Sequence, residues 1–332
     1  MDVDFATFLT TVYVEIDTWC AERPPVPPPH PGPPRHMRDS EVLTLMLIGQ
    51  WRGVSERGLL RWAADQLSDA FPDLLSQSAF NRRARALAGQ AVQLMQDLAT
   101  RLDVAADAYE IVDCVPVPVA QRCRGDRHRR FTPEEANVGR GGVGKAFYYG
   151  VSLLLSVAAS GPITGFVVAP ANVEGRWLLS SLLSWRQDPT AVPMTEAALN
   201  TRNAKPRPYV GPTGDLLGPT SAGATVTGVY LADQGFKGAV WQAHWREDLQ
   251  ATVWTHEQLP SPLRHWFHAA RQTIEIINGQ LTDVFHSKFP QAHTQAGLMT
   301  RIAAKCAALN LGILINQRLG RPALALGTLF TG

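Results

Sequence analysis

Along the first third of the chain, apolar residues return at helical intervals. Residues 5–22 read as a helix. Pro24 to Pro34 follows, with eight prolines in eleven residues, a composition that forbids helix and favours an extended polyproline II spacer. Asp39 or Ser40 then offers an N-cap before the apolar run Val42 to Ile48. Further helices are expected at 55–67 and, after the break at Phe71-Pro72-Asp73, at 77–103, the last carrying Arg82, Arg83 and Arg85.

From Tyr109 the period changes from helical to extended. Tyr109 to Val115 is a β-branched stretch that the following Pro116 and Pro118 are expected to end. Phe147–Ala158 and Ile163–Ala169 read as two strands joined by the turn Ala159-Ser-Gly-Pro. A helix is expected at Glu174–Arg186, a strand at Ala224–Leu231, a helix at Lys237–Trp245, a strand at Gln250–Thr255, and helices at Leu263–Phe285 and Thr294–Gln317. Residues 188–222, rich in Pro, Gly, Asn and Thr, have no period and read as a long inserted loop. The order β-β-β-α-β-α-β-α is that of a ribonuclease H-like α/β fold, a mixed five-stranded sheet flanked by helices. The expected division is an all-helical module over 1–104 and an α/β catalytic domain over 105–320, within a length of 332 residues that suits two domains, or one large domain with an appendage.

Composition narrows the class. With 45% apolar and 18% charged residues and a net charge of +2, the chain is neither disordered nor a polyelectrolyte. Its four cysteines form no CxxC pair, which argues against a disulfide scaffold and suits a reducing, cytoplasmic setting. The acidic start, MDVDFATFLTTVYVEID, lacks the basic n-region of a signal peptide, and the apolar runs are short or interrupted by Lys305, so no membrane span is expected. Residues 1–100 hold nine Arg against twelve acids. DNA contact by a helix-turn-helix variant and a purely structural or dimerising role both stay open for them.

Three acids stand where the element order brings strand and helix ends together: Asp113 inside the first strand, Asp233 at the end of the fourth, and Glu275 on the long helix. A lone charge in an apolar strand is costly to bury and demands a partner, and a hard divalent cation suits carboxylates. Two such ions about 4 Å apart serve in-line phosphoryl displacement.

The residues that carry this chemistry also resemble a known family, the DDE transposases of bacterial insertion sequences. The resemblance runs from Asp39-Ser-Glu-Val-Leu-Thr-Leu through Ser78-Ala-Phe-Asn-Arg-Arg to about Leu319. Its pieces are Ile-Val-Asp113-Cys-Val-Pro-Val-Pro-Val, Phe147-Tyr-Tyr-Gly, Ala171-Asn172, Leu-Ala-Asp233-Gln-Gly-Phe-Lys237-Gly and Arg271-Gln-Thr-Ile-Glu275-Ile-Ile-Asn, with spacings of 120 and 42 residues between the acids. It implies a transposase that uses Mg²⁺ or Mn²⁺, two ions in all, on a triad of Asp113, Asp233 and Glu275. The partners it implies are double-stranded DNA, as transposon ends and target, and a second copy of the chain in a synaptic homodimer. Arg271, one helical turn before Glu275, stands where it could hold a phosphate or orient that acid, and with Lys237 it is an expected DNA contact. His268, Thr282 and Glu174 stand where the family often has Tyr, Lys and Asp. A nuclease without strand transfer and a catalytically silent DNA-binding remnant are the alternatives.

One further segment points to nucleic acid. Residues 121–145 carry Arg122, Arg124, Arg127, Arg129, Arg130, Arg140 and Lys145 against three acids, and leave the strand that bears Asp113. Such an arm suits phosphate neutralisation beside an active site. The alternative is a solvated basic loop.

Overall fold

The computed structural model describes residues 3–23, 36–121, 130–141, 146–188 and 228–329. The expected loop at 188–222 lies almost wholly outside the described residues, as do Arg122, Arg124, Arg127, Arg129 and Lys145.

Five helices open the chain: α1 (Phe5–Ala21), α2 (Asp39–Arg52), α3 (Glu56–Gln66), α4 (Gln77–Ala86) and α5 (Ala88–Arg101). Side-chain caps fix several starts. Asp4, Ser55 and Ser76 accept from the backbone N–H groups of Thr7, Gly58 and Ala79. The single helix expected over 77–103 is two helices, because Leu87 leaves helical geometry (φ −93°, ψ 2°) while its N–H still bonds the Arg83 carbonyl. Leu87 is buried at this corner, so packing rather than a Gly or Pro breaks the helix.

The sheet comprises β1 (Glu110–Ala120), β2 (Asn137–Gly141), β3 (Ala146–Ala158), β4 (Ile163–Pro170), β5 (Val229–Ala232) and β6 (Thr252–Trp254). β1 is central. It pairs antiparallel with β3 and parallel with β5, β5 pairs parallel with β6, and β3 holds both β2 and β4 along its other edge. The fold is therefore mixed α/β, with a mixed sheet, flanking helices and a helical N-terminal region. β2 had no sequence signal. Nor does β1 end at its prolines: it runs through Pro116 and Pro118, which oppose Ser152 and Gly150 of β3. The register explains this, since β5 accompanies β1 only to Val112. Two prolines two residues apart turn their missing donors to the same, unpaired edge, where no ladder bond is lost.

Four helices follow the first strands: α6 (Gly175–Gln187), α7 (Ala239–Glu247), α8 (Ser261–Asp283) and α9 (Gln295–Arg318). α9 is buried on every side from Leu298 to Asn316 and packs on α2, α4 and α5 as well as on β4. It is long and apolar enough to cross a membrane, and that apolar window lies entirely inside the fold. The C-terminal helix and the N-terminal helices thus share one continuous apolar core. At its middle Asn310 accepts from the Ile163 N–H (2.8 Å) and donates to the carbonyls of Met95 and Ile163, joining α9, α5 and β4.

Because side chains alternate along a strand, β1 offers its two faces to different helices. Glu110 faces α6, where it accepts from Arg186 (2.7 Å), Thr164 (2.6 Å) and Ser156, and Arg186 also donates to the Tyr230 hydroxyl. Asp113, on the opposite face, meets α8 through Asn278.

Candidate active site

The parallel pairing of β1 with β5 sets the site. Glu110, Ile111 and Val112 lie beside Tyr230, Leu231 and Ala232, so Asp113 and Asp233 are the next residues of two adjacent strands. Each carboxylate is held locally. Asp113 Oδ1 accepts from the Cys114 N–H (2.9 Å), and Asp233 Oδ1 accepts from the Gly235 N–H (2.9 Å) at the start of a one-turn 3-10 helix, Gln234–Phe236.

The α8 helix closes the site from above. Phe267, Ala270, Ile274, Ile277 and Leu281 form its buried face. Arg271 and Asn278 are seven residues apart, two helical turns, and border that face on one side. Asn278 Nδ2 donates to Asp113 Oδ2 (3.0 Å), and the charge of Arg271 acts on the same carboxylate. Two polar atoms are left over: Arg271 Nε and Asn278 Oδ1 are buried with no hydrogen-bond partner. A free donor and a free acceptor beside a buried carboxylate are the features that a bound anion or hydroxyl satisfies.

The electrostatics follow from this packing. Burial pushes the Asp113 carboxyl up from 3.8 to about 6; Arg271 works against that rise, Asp233 adds to it, and the bonds from Cys114 and Asn278 oppose it. Two neighbouring carboxylates, one of them raised by burial and by like charge, make a hard-oxygen pair that a divalent cation relieves. The pair fits such an ion. Glu275 does not complete it in this conformation, for it lies farther round α8, on the exposed flank. Among the described residues no three His, Cys, Asp or Glu side chains are grouped closely enough to hold a metal.

The remaining predicted contacts are spread around this centre. Lys237 ends the 3-10 turn after Asp233 and is exposed, with its carbonyl accepting from Arg176 (3.3 Å). Arg130 is exposed and bonds the His293 ring. Sequence reasoning passed over Asn278, although its position three residues after Glu275 and seven after Arg271 put it on the same helical face, a signal that was available.

Compared with protein-family models, with curated proteins and with solved structures, the chain matches none.

Proposed function

We propose that the chain is a DNA transposase of the DDE type, with a ribonuclease H-like catalytic domain that cleaves transposon ends and joins them to target DNA. The observation that carries this reading is Asp113, its carboxyl raised by burial and by like charge, beside Asp233 at the ends of adjacent parallel strands, with the charge of Arg271 acting on it and Arg271 Nε buried without a partner. The element order also supports it: β1, β3 and β4, then α6, β5, α7, β6 and α8, repeats the expected β-β-β-α-β-α-β-α with β2 as a small addition.

In this reading Asp113 and Asp233 hold Mg²⁺ or Mn²⁺, which when bound polarises the scissile phosphate and lowers the pKa of an attacking water or 3′-hydroxyl. Asn278 fixes the orientation of the Asp113 carboxylate. Arg271 turns its free Nε–H to a phosphate oxygen, a charge-assisted bond that favours the developing negative charge. Glu275, exposed one helical turn beyond Arg271, would be the third carboxylate of the triad. Lys237, Arg130 and the segment 121–145 neutralise phosphates along the strand. The protein works on DNA in the cytoplasm, as a homodimer that pairs two ends.

The test is product analysis. The wild type is incubated with Mg²⁺ or Mn²⁺ and DNA that carries the element's own ends. Joined end–target products support transposition, and simple nicks favour a nuclease. A silent DNA-binding remnant is the reading that the exposure of Glu275 favours. Its signature is tight binding with no cutting in either metal.

A further inference from the structure

The row of strand ends that holds Asp113 and Asp233 continues to a third strand. β5 and β6 are parallel with Leu231 beside Trp254, and the chain stays extended through Asp233 (φ −72°, ψ 177°) and Thr255 (φ −110°, ψ 160°), so His256 stands beside Asp233. A capping box fixes the turn that carries it: the Gln258 side-chain oxygen accepts from the Thr255 N–H (2.8 Å) and hydroxyl (3.0 Å).

The α8 helix crosses this end of the sheet and brings His268 onto His256. The ring centres are 4.6 Å apart with the planes at 44°, and the buried Phe267 ring packs beside His256 at 6.1 Å. Neither imidazole has a hydrogen bond or an acid partner among the described residues. His268 is exposed and His256 half-buried, so the pair is open to an ion from solvent.

Their separation bears on what such an ion is. Two imidazoles on one metal, each nitrogen about 2.1 Å from it, have ring centres roughly 4.5 to 5.2 Å apart as the angle at the metal opens from a right angle to tetrahedral. The observed 4.6 Å lies in that range. Neutral imidazole suits transition metals, whereas Mg²⁺ takes oxygen ligands.

We infer that His256 and His268 form a binding site for one divalent transition metal ion, such as Zn²⁺ or Co²⁺, with water in its remaining positions. Two protein ligands, against the four of a closed structural site, make the ion exchangeable. When bound it ties the end of β6 to α8, the helix whose Arg271 and Asn278 follow His268 by three and ten residues. The inference does not depend on the transposase reading.

The experiment titrates Co²⁺ and Zn²⁺ into the full chain at pH 7.5, after removal of divalent ions. Co²⁺ is followed by its visible absorption and Zn²⁺ by the melting temperature, expected to rise by about 4 °C at a hundredfold excess over the dissociation constant. His256→Gln and His268→Gln each weaken Co²⁺ binding by about tenfold or more and remove the Zn²⁺ shift. His265→Gln, on the same helix, and Asp113→Asn leave the Co²⁺ absorption as in the wild type. His268 is exposed, so the metal-free His268→Gln chain melts with the wild type, which separates loss of a ligand from loss of the fold. Co²⁺ absorption that survives either His256→Gln or His268→Gln overturns the inference. So does absorption lost in Asp113→Asn or His265→Gln, or a wild type that gives neither absorption nor shift. Failure of the transposase reading is seen separately, as absence of Mg²⁺- or Mn²⁺-dependent cutting of DNA.

Discussion

Replacing Asp113 by Asn isolates the electrostatic strain at the proposed site. The Asp113 carboxyl is raised from 3.8 to about 6, first by burial and then by Asp233, against the pull of Arg271. At about 1.4 kcal/mol per pKa unit, ionising it inside the fold costs about 3 kcal/mol. The folded chain takes up this proton at a pH where the unfolded chain has already lost it. The penalty is therefore absent below pH 3.8, complete above about 6, and wild-type stability falls as pH rises through that window. Asp113→Asn keeps an acceptor for the Cys114 N–H, and its new amide N–H reaches an acceptor if the Asn278 amide turns over, since Asn278 Oδ1 has no partner. The variant is thus expected to melt roughly 5 °C above the wild type at pH 7.5 in chelating buffer. The gap closes towards pH 4, and Mg²⁺ or Mn²⁺ at neutral pH narrows it by stabilising the wild type alone. Thermal melts across pH 4 to 8, with and without cation, check all three statements. A variant that melts below the wild type at neutral pH in chelator, or with the same pH slope, refutes the reasoning.

Other perturbations test separate parts of the structure. Glu110→Gln is expected to destabilise the chain by about 3 kcal/mol in urea unfolding, because it leaves the Arg186 charge buried without its counter-ion. Glu275→Gln changes urea stability by less than about 0.5 kcal/mol, since the side chain is exposed, and abolishes DNA cutting on the proposed reading. Gly53→Ala lowers the melting temperature, because the residue has φ 62° and its Cβ would lie 2.2 Å from the His286 ring. Burial lowers the Lys305 amine from 10.5 to about 7; the charged form is penalised in the fold, so its destabilisation is complete below pH 7 and fades as pH rises towards 10.5. Lys305→Met is accordingly expected to flatten the rise of stability between pH 7 and 10, read by urea titrations.

What the sequence discloses and what it hides divide along the range of the interactions. Strand and helix order depends on local period, and Asp113 and Asp233 become neighbours once β1 and β5 are placed side by side, so their juxtaposition was legible from element order. The course of β1 through Pro116 and Pro118 was not, because a proline is tolerated or not according to which edge lacks a partner, and that depends on where β5 stops. The corner at Leu87 is likewise set by what α4 and α5 pack against, and the residues themselves continue a helical pattern. The apolar run of α9 reads only as a buried helix. That its neighbours come from the first hundred residues is a matter of tertiary packing. At the site, the orientation of Glu275 away from Asp113 turns on some tens of degrees around α8, finer than a pattern of acids resolves. Asn278, seven residues after Arg271, was within reach of helical spacing.

The most direct test of the account is cleavage itself. Supercoiled DNA carrying the element's ends is incubated with the wild type, Asp113→Asn or Asp233→Asn in Mg²⁺, in Mn²⁺ and in chelator, with binding followed in parallel. Cutting by the wild type in either metal, lost in chelator and in both variants while DNA binding persists, is the predicted result. Cutting that survives in either variant, or a wild type that binds and never cuts, contradicts it.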